Sequence, residues 1–322
     1  MRWAFLGIGR VTPRMVSALR AIPHQQLCAV AARNPESLRT WAQSFSVDRI
    51  TTDLEHWCVS DDIDAVYVAL PPSLHAELSI LALRHRKTVL SEKPLAIHSN
   101  QATAMFNASR DNLTLLQHAT SFPFHPRSRA MRSIIKSGEL GELKRITVSV
   151  SFSEVMHRGS DHRTQPSLGG GCLLDLGWYC AFATRWFTDL HPIEIKALGN
   201  RLSSDHPEGV WGSAQAIVRL NNDAIAHWDC GFDASGRKWI EIAGSKGSLI
   251  CDDFTRPWDL SKPRFWVHGL HGKARSETVG ADCFQEKVLF ESMAAGVTEE
   301  SSALLECGVL TQRDLELWEN AL

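Results

Sequence analysis

The segment Gly7-Ile8-Gly9-Arg10-Val11-Thr12 carries two glycines at the spacing that lets a backbone close around a pyrophosphate. The first glycine permits a tight turn and the second lets the chain approach the phosphates. Free N–H groups at the start of a following helix then stabilise their charge. The chemistry open to such a turn is nicotinamide dinucleotide binding, and through it hydride transfer. Thr12 stands where the third glycine of the pattern would fall, so the surrounding elements have to support the motif. Cofactor choice is read further on, at Ala31-Ala32-Arg33-Asn34. A carboxylate there would accept from the ribose 2′-hydroxyl of NAD. An arginine in its place pairs with a 2′-phosphate, so NADP is expected ahead of NAD. Gly7, Gly9, Arg10, Val11 and Arg33 are the candidate cofactor contacts of this part.

These residues need a strand before them and a helix after. Trp3-Ala4-Phe5-Leu6 reads as a strand stopped by Gly7. Met15, Val16, Leu19 and Ala21 recur at near-helical spacing from Pro13 onward, with Thr12 suited to the N-cap. Leu27 to Ala32 is a second strand, and Ala65 to Leu70 is a continuous apolar run, as in a strand covered on both faces. A helix from His75 to Arg84 leads into a strand at Thr88-Val89-Leu90, and Leu113 to Leu116 gives another. Strand and helix in regular alternation predict a doubly wound α/β Rossmann sheet over residues 1–120.

The rhythm changes at Phe122-Pro123-Phe124-His125-Pro126. Longer strands are expected over Leu143–Phe152, Ile193–Leu198, Gly212–Leu220, Ala224–Phe232 and Trp239–Ile250, with helix again from Ala281. Several alternate apolar with polar residues. Residues 121–322 therefore read as an α+β domain with a large, mostly antiparallel open sheet. A length of 322 residues suits two domains.

The bulk composition narrows the function. With 34 basic and 36 acidic residues the net charge is −2 and no basic run stands out, so no nucleic-acid groove is expected. No apolar stretch approaches the roughly 18 residues that would span a bilayer, and MRWAFLGIGR is not a signal peptide. Cys28, Cys58, Cys172, Cys180, Cys230, Cys251, Cys283 and Cys307 form no CxxC pair and no zinc spacing. Reduced thiols, a cytoplasmic location and no metal follow as expectations.

Three further segments complete the pattern: Ala69-Leu70-Pro71-Pro72-Ser73-Leu74-His75, Val89-Leu90-Ser91-Glu92-Lys93-Pro94-Leu95, and Leu168-Gly169-Gly170-Gly171-Cys172-Leu173-Leu174-Asp175-Leu176-Gly177-Trp178-Tyr179. With the glycine turn and Ile242-Ala243-Gly244-Ser245-Lys246-Gly247, the chain resembles the Gfo/Idh/MocA oxidoreductases from residue 1 to about residue 300. The similar branch is that of dimeric dihydrodiol dehydrogenase, glucose–fructose oxidoreductase and D-xylose dehydrogenase. The resemblance implies catalytic roles for Lys93, Asp175 and Tyr179. It adds Leu70, Pro71, His75, Glu92 and Lys93 to the cofactor contacts, and implies a homodimer or homotetramer assembled through the C-terminal sheet.

The implied cluster makes chemical sense. Oxidising an alcohol needs a base for the hydroxyl proton while hydride leaves. A tyrosine, with a pKa of about 10, is a poor base near neutrality unless an ammonium stabilises its phenolate. A Tyr–Lys pair does this, and in reverse it stabilises a forming alkoxide. The expected substrate is a sugar, cyclitol or vicinal diol, or the matching carbonyl. Arg163, Trp178 and His118 are candidate substrate contacts, Trp178 as a stacking face. His118 and Pro123 depart from the pattern, since relatives commonly carry Glu and Arg there. Three alternatives stay open: an NAD-dependent member with an unusual substrate, a non-catalytic nucleotide-binding regulator, and a tightly bound cofactor cycling between two substrates.

Overall fold

Trp3, Ala4, Phe5 and Leu6 have no exposed surface, and the same holds for Ala65, Val66, Tyr67 and Val68. These two runs are the centre of a parallel sheet, where apolar side chains are covered from both faces. The computed structural model describes residues 1–153, 161–202 and 209–322. They divide into two compact units: Met1–Thr120 with Phe284–Gln312, and Ser121–Cys283 with Arg313–Leu322.

In the first unit β1 (Arg2–Leu6), α1 (Thr12–Arg20), β2 (Gln26–Ala31), α2 (Pro35–Ser44) and β3 (Arg49–Thr51) form one half. The short α3 (His56–Val59), β4 (Ala65–Val68), α4 (His75–Arg84), β5 (Thr88–Ser91), α5 (Ser99–Asp111) and β6 (Leu116–His118) form the other. The six strands are parallel in the order β3-β2-β1-β4-β5-β6, the doubly wound arrangement, with Phe5 opposite Tyr67 in register. The last strand lies two to three residues later than the sequence suggests. Leu113 has a left-handed φ of 53° and is exposed, which places it in the turn before β6.

The second unit contains α6 (Pro126–Lys136), β7 (Leu143–Ser151), α7 (Trp178–Thr188), β8 (Pro192–Arg201), β9 (Trp211–Leu220) and β10 (Ile225–Gly231). It continues with β11 (Arg237–Gly244), β12 (Gly247–Cys251), β13 (Arg264–Gly269) and β14 (Ala274–Thr278). The eight strands run in the order β14-β13-β12-β11-β7-β10-β9-β8 and are antiparallel except for the β7–β10 pair. The expected strand over Trp239–Ile250 is two strands joined by a hairpin turn at Ser245-Lys246. One face is buried: Ile146, Val148 and Val150 of β7 and Trp228 of β10 lie in the core, and Trp228 Nε1 donates to Thr184 Oγ1 of α7 at 2.9 Å. The other face is open, with Leu198 and Ile217 exposed. Alternation along β9 makes this division.

The C-terminal helices correct the expectation that everything past residue 120 forms one domain. α8 (Gln285–Ala294) belongs to the first unit, where Leu289, Phe290 and Met293 are buried. Phe290 meets Trp3 edge-on at 5.1 Å. Each such side chain gains about 1.5–3 kcal/mol from burial, which outweighs sequence distance. α9 (Glu299–Glu319) belongs to the first unit up to Gln312 and to the second thereafter. In the second, Asp314 pairs with Arg185 of α7 and Trp318 packs on Trp228.

Candidate active site

The nucleotide turn is fixed by sterics. Gly7 has φ 106°, and a Cβ there would stand 2.2 Å from the carbonyl oxygen of Ala69, so no other residue fits. Its N–H donates to Ala31 O at 2.8 Å, which anchors the turn to β2. Around Gly9, by contrast, an added Cβ would meet only Ala69 O, at 3.8 Å. The backbone there is exposed at the start of α1, where a pyrophosphate would approach. The residues present fit a dinucleotide.

Thr12 is not the N-cap but the first residue of α1, and Val11 occupies the cap. The reason lies in its hydroxyl, which donates to Gly9 O at 2.7 Å and accepts from Trp41 Nε1 of α2 at 3.1 Å. Threonine thus replaces the third glycine by tying the turn to its own helix and to the next. Arg10 and Arg33 are exposed and Val11 is half-buried. Asn34 is committed, its Oδ1 accepting from Glu36 and Ser37 N–H as the cap of α2. Arg33 therefore leaves β2 beside no carboxylate of the segment Ala31-Ala32-Arg33-Asn34.

Lys93 follows β5 and is half-buried. Beneath it Glu92 accepts from the Tyr67 hydroxyl at 2.6 Å and from the Lys93 backbone N–H at 3.2 Å. Burial pushes the Glu92 carboxyl above the usual carboxylate range. Burial, with Glu92 beside it, pushes Tyr67 well above an ordinary phenol. Glu92, expected at the cofactor, thus braces the turn that carries Lys93. His75 is likewise buried, with Nδ1 2.8 Å from Pro94 O and Nε2 2.8 Å from Leu70 O, while Leu70 and Pro71 are half-buried. His118 leaves no surface for a substrate. It is wholly buried with Nε2 3.0 Å from Leu304 O, and burial lowers its pKa to about 4. His118 is thus a neutral tether for α9.

In the second unit the glycine run turns sharply against the preceding segment. Gly171 N donates to Arg163 O at 2.8 Å, and a Cβ on Gly170 would lie 2.7 Å from the same oxygen. A single π-helical stretch, Leu173–Gly177, then leads into α7. Such stretches recur at functional sites because they redirect side chains. Asp175 sits in this stretch, and Arg163 holds it through Nε–Oδ2 at 2.6 Å and Nη2–Oδ1 at 3.4 Å. Arg163 Nη1 also donates to Asp161 Oδ1 at 3.2 Å, and these carboxylates push the guanidinium pKa up despite burial. Asp161 itself accepts from Arg163 N, the Asx turn that sets the arginine. Tyr179 is half-buried at the start of α7. Trp178 is not a stacking face, because it has no exposed surface and lies parallel to Phe182 at 5.8 Å.

Sequence reasoning missed Asp161 and Tyr67. The spacing Asp161-His162-Arg163 was a signal for the first, and nothing local marked the second. Among the described residues one group offers several metal-type ligands, Cys251, Asp252 and Asp253. There Asp253 is already engaged by Arg127 and by Trp258 N–H at 2.7 Å.

Residues 1–119 match the oxidoreductase family with an NAD-binding Rossmann fold, and residues 128–250 match the GFO/IDH/MocA C-terminal domain. A dTDP-3,4-didehydro-2,6-dideoxy-alpha-D-glucose 3-reductase of Saccharopolyspora spinosa is 33% identical over 245 residues, which cover 76% of this chain and 72% of the reductase. The chain belongs to the GFO/IDH/MocA oxidoreductase family. Another relative in it, the NADP(+) scyllo-inositol 2-dehydrogenase of Bacillus subtilis, is 29% identical, covering 80% of this chain and 77% of its own. A crystal structure of KijD10, a 3-ketoreductase from Actinomadura kijaniata in complex with NADP and TDP-benzene, superposes with a TM-score of 0.87 at 25% identity. It covers 100% of this chain and 97% of that one. The GFO/IDH/MocA fold thus accounts for both units, and no helix among the described residues is long and apolar enough to cross a membrane.

Proposed function

We propose that the chain is an NADP(H)-dependent dehydrogenase or reductase moving hydride between the nicotinamide and a sugar, cyclitol or vicinal-diol carbon. The bound nicotinamide supplies the hydride acceptor or donor. Gly7, Gly9, Arg10 and Val11 cradle the pyrophosphate, Leu70 and Pro71 line the nucleotide, and Arg33 pairs with the 2′-phosphate. The NADP complex of the ketoreductase and the NADP(+) specificity named for the inositol dehydrogenase support this choice.

In this reading Tyr179 takes or returns the hydroxyl proton, and the ammonium of Lys93 favours its phenolate. The single observation that carries the assignment is the Arg163–Asp175 pair. An oxygen already gripped by a guanidinium serves to orient a substrate hydroxyl, not to accept its proton, which leaves Tyr179 as the acid/base on that unit. Arg163 then acts through Asp175 and not on the polyol directly. The open face of the second sheet, with Leu198 and Ile217 exposed, is the surface through which two copies would pair.

The test is near-UV absorbance of NADP⁺ and NAD⁺ reduction over aldoses, cyclitols and trans-diols, with Tyr179→Phe as control. Turnover with NADP⁺ that disappears in Tyr179→Phe supports the reading. Unchanged turnover in that variant sinks the proposed acid/base. Nucleotide binding without reduction of either cofactor favours a regulator that holds the nucleotide without using it.

A further inference from the structure

His75 opens α4 with 1% of its surface exposed, and its ring faces two backbone carbonyls. Nδ1 lies 2.8 Å from Pro94 O and Nε2 2.8 Å from Leu70 O. A carbonyl oxygen only accepts. Neutral imidazole has a single N–H, so it satisfies one of these oxygens and turns a lone pair on the other. Only the imidazolium donates to both.

The geometry points to His75 as a permanently protonated positioning residue. It ties the Leu70-Pro71 turn after β4 to the Glu92-Lys93-Pro94 turn after β5, and so fixes where Lys93 stands beside the nucleotide. This rests on the roles given above to Lys93 and to the nucleotide turn.

The surrounding charges divide. Burial, the N-terminus of α4 and the Lys93 ammonium beside Pro94 oppose a cation. Glu92, next to Lys93, and Glu77, in the first turn of α4, favour it, and the Pro72–Leu74 turn brings no charge. What decides is that both ring nitrogens stand 2.8 Å from carbonyl oxygens, which can only accept. In the neutral ring one carbonyl would face a nitrogen lone pair, a repulsive contact in place of a hydrogen bond.

The test is a long-range ¹H–¹⁵N correlation spectrum of the full chain with ¹⁵N-labelled histidine, at a pH of about 8, where an ordinary histidine is neutral. We expect one of the 14 histidine rings to carry both protons there, and its signal to vanish in His75→Phe. Fourteen neutral rings at that pH overturn the proposal, and this reading needs no variant to fold. The positioning role is read by NADP⁺ affinity, titrated through tryptophan fluorescence. His75→Phe should weaken it about tenfold or more, and His75→Gln, which keeps a donor, should recover part of the loss. Wild-type NADP⁺ affinity in a folded His75→Phe overturns the role. Neither readout needs a substrate, so an imidazolium signal with a lowered affinity in the variant stands even if no substrate is turned over, and the enzyme reading alone then fails.

Discussion

Arg163 grips the Asp175 carboxylate side-on, with Nε 2.6 Å from Oδ2, while its Nη1 reaches Asp161 at 3.2 Å. One guanidinium thus fixes two carboxylates, and the two acids share a single cation. Lysine carries the charge but not the fork. Arg163→Lys should lower kcat/KM roughly tenfold to a hundredfold, and Asp175→Asn by a similar factor. The double variant should be little worse than either single one, with a coupling of about 1–2 kcal/mol. Steady-state kinetics of the three variants decides. Strictly additive losses would show that the two side chains act separately.

In the proposed function the cofactor preference rests on Arg33. A charge-assisted bond to a 2′-phosphate is worth about 1.5–3 kcal/mol, so Arg33→Ala should cost roughly ten- to a hundredfold in NADP⁺ affinity. NAD⁺ lacks the 2′-phosphate, and its affinity should move far less. Equilibrium titration of both nucleotides checks the ratio. An unchanged ratio would place 2′-phosphate recognition elsewhere, with Arg10 the next residue to substitute.

The chain has two tyrosines, and they are not equivalent. Tyr67 is fully buried and hydrogen-bonded to Glu92, and both circumstances raise its pKa well above that of a free phenol. An ultraviolet difference titration of the native protein up to a pH of about 11 should therefore count a single phenolate. Tyr179→Phe should abolish it. A titration that survives in this variant would mean that Tyr67 ionises in the folded state, against its burial.

His118 makes stability depend on pH. Its folded pKa is pushed down to about 4 from an ordinary 6.5. Above 6.5 both folded and unfolded chains hold it neutral, and it contributes no slope. As the pH falls from 6.5 toward 4 the unfolded chain takes up a proton that the folded one refuses, so stability drops, by about 3 kcal/mol over the window. His118→Gln should make the decline shallower between those pH values and leave it unchanged above. Urea unfolding across the range measures it, and an identical slope would show that His118 is protonated in the fold. His125, lowered to about 4 by burial and by Arg127, acts with the same sign.

The legible parts of the fold are those where local pattern and tertiary demand agree. Ala65–Val68 is apolar without interruption because both faces are covered, and α4 begins and ends as its periodicity predicts. β14 was invisible because Ala274–Thr278 is nearly all exposed, leaving no alternation to read, and β3 is only three residues long. α8 could be seen as a helix but not assigned to its unit, since its contact with Trp3 spans nearly the whole chain. The site divides the same way. Lys93, Asp175 and Tyr179 stood out through the motifs that surround them. The partners that hold these residues, Tyr67 beneath Glu92 and His75 across Pro94, are set by long-range packing that no local spacing records.

The one parallel pair in the large sheet sets the order in which that unit can be completed. β7 sits between β10 and β11, and the hydrogen bond from Arg237 to Ser151 joins residues 86 apart. Until the ribosome has released both partners, β7 has two bare edges, and only α7 is available to cover its inward side chains. Closing so large a loop precedes any reward from pairing, which puts this unit among the slower-folding topologies. During synthesis the Rossmann strands β1 to β6 can already pair with near neighbours while the edges of β7 wait for strands made later.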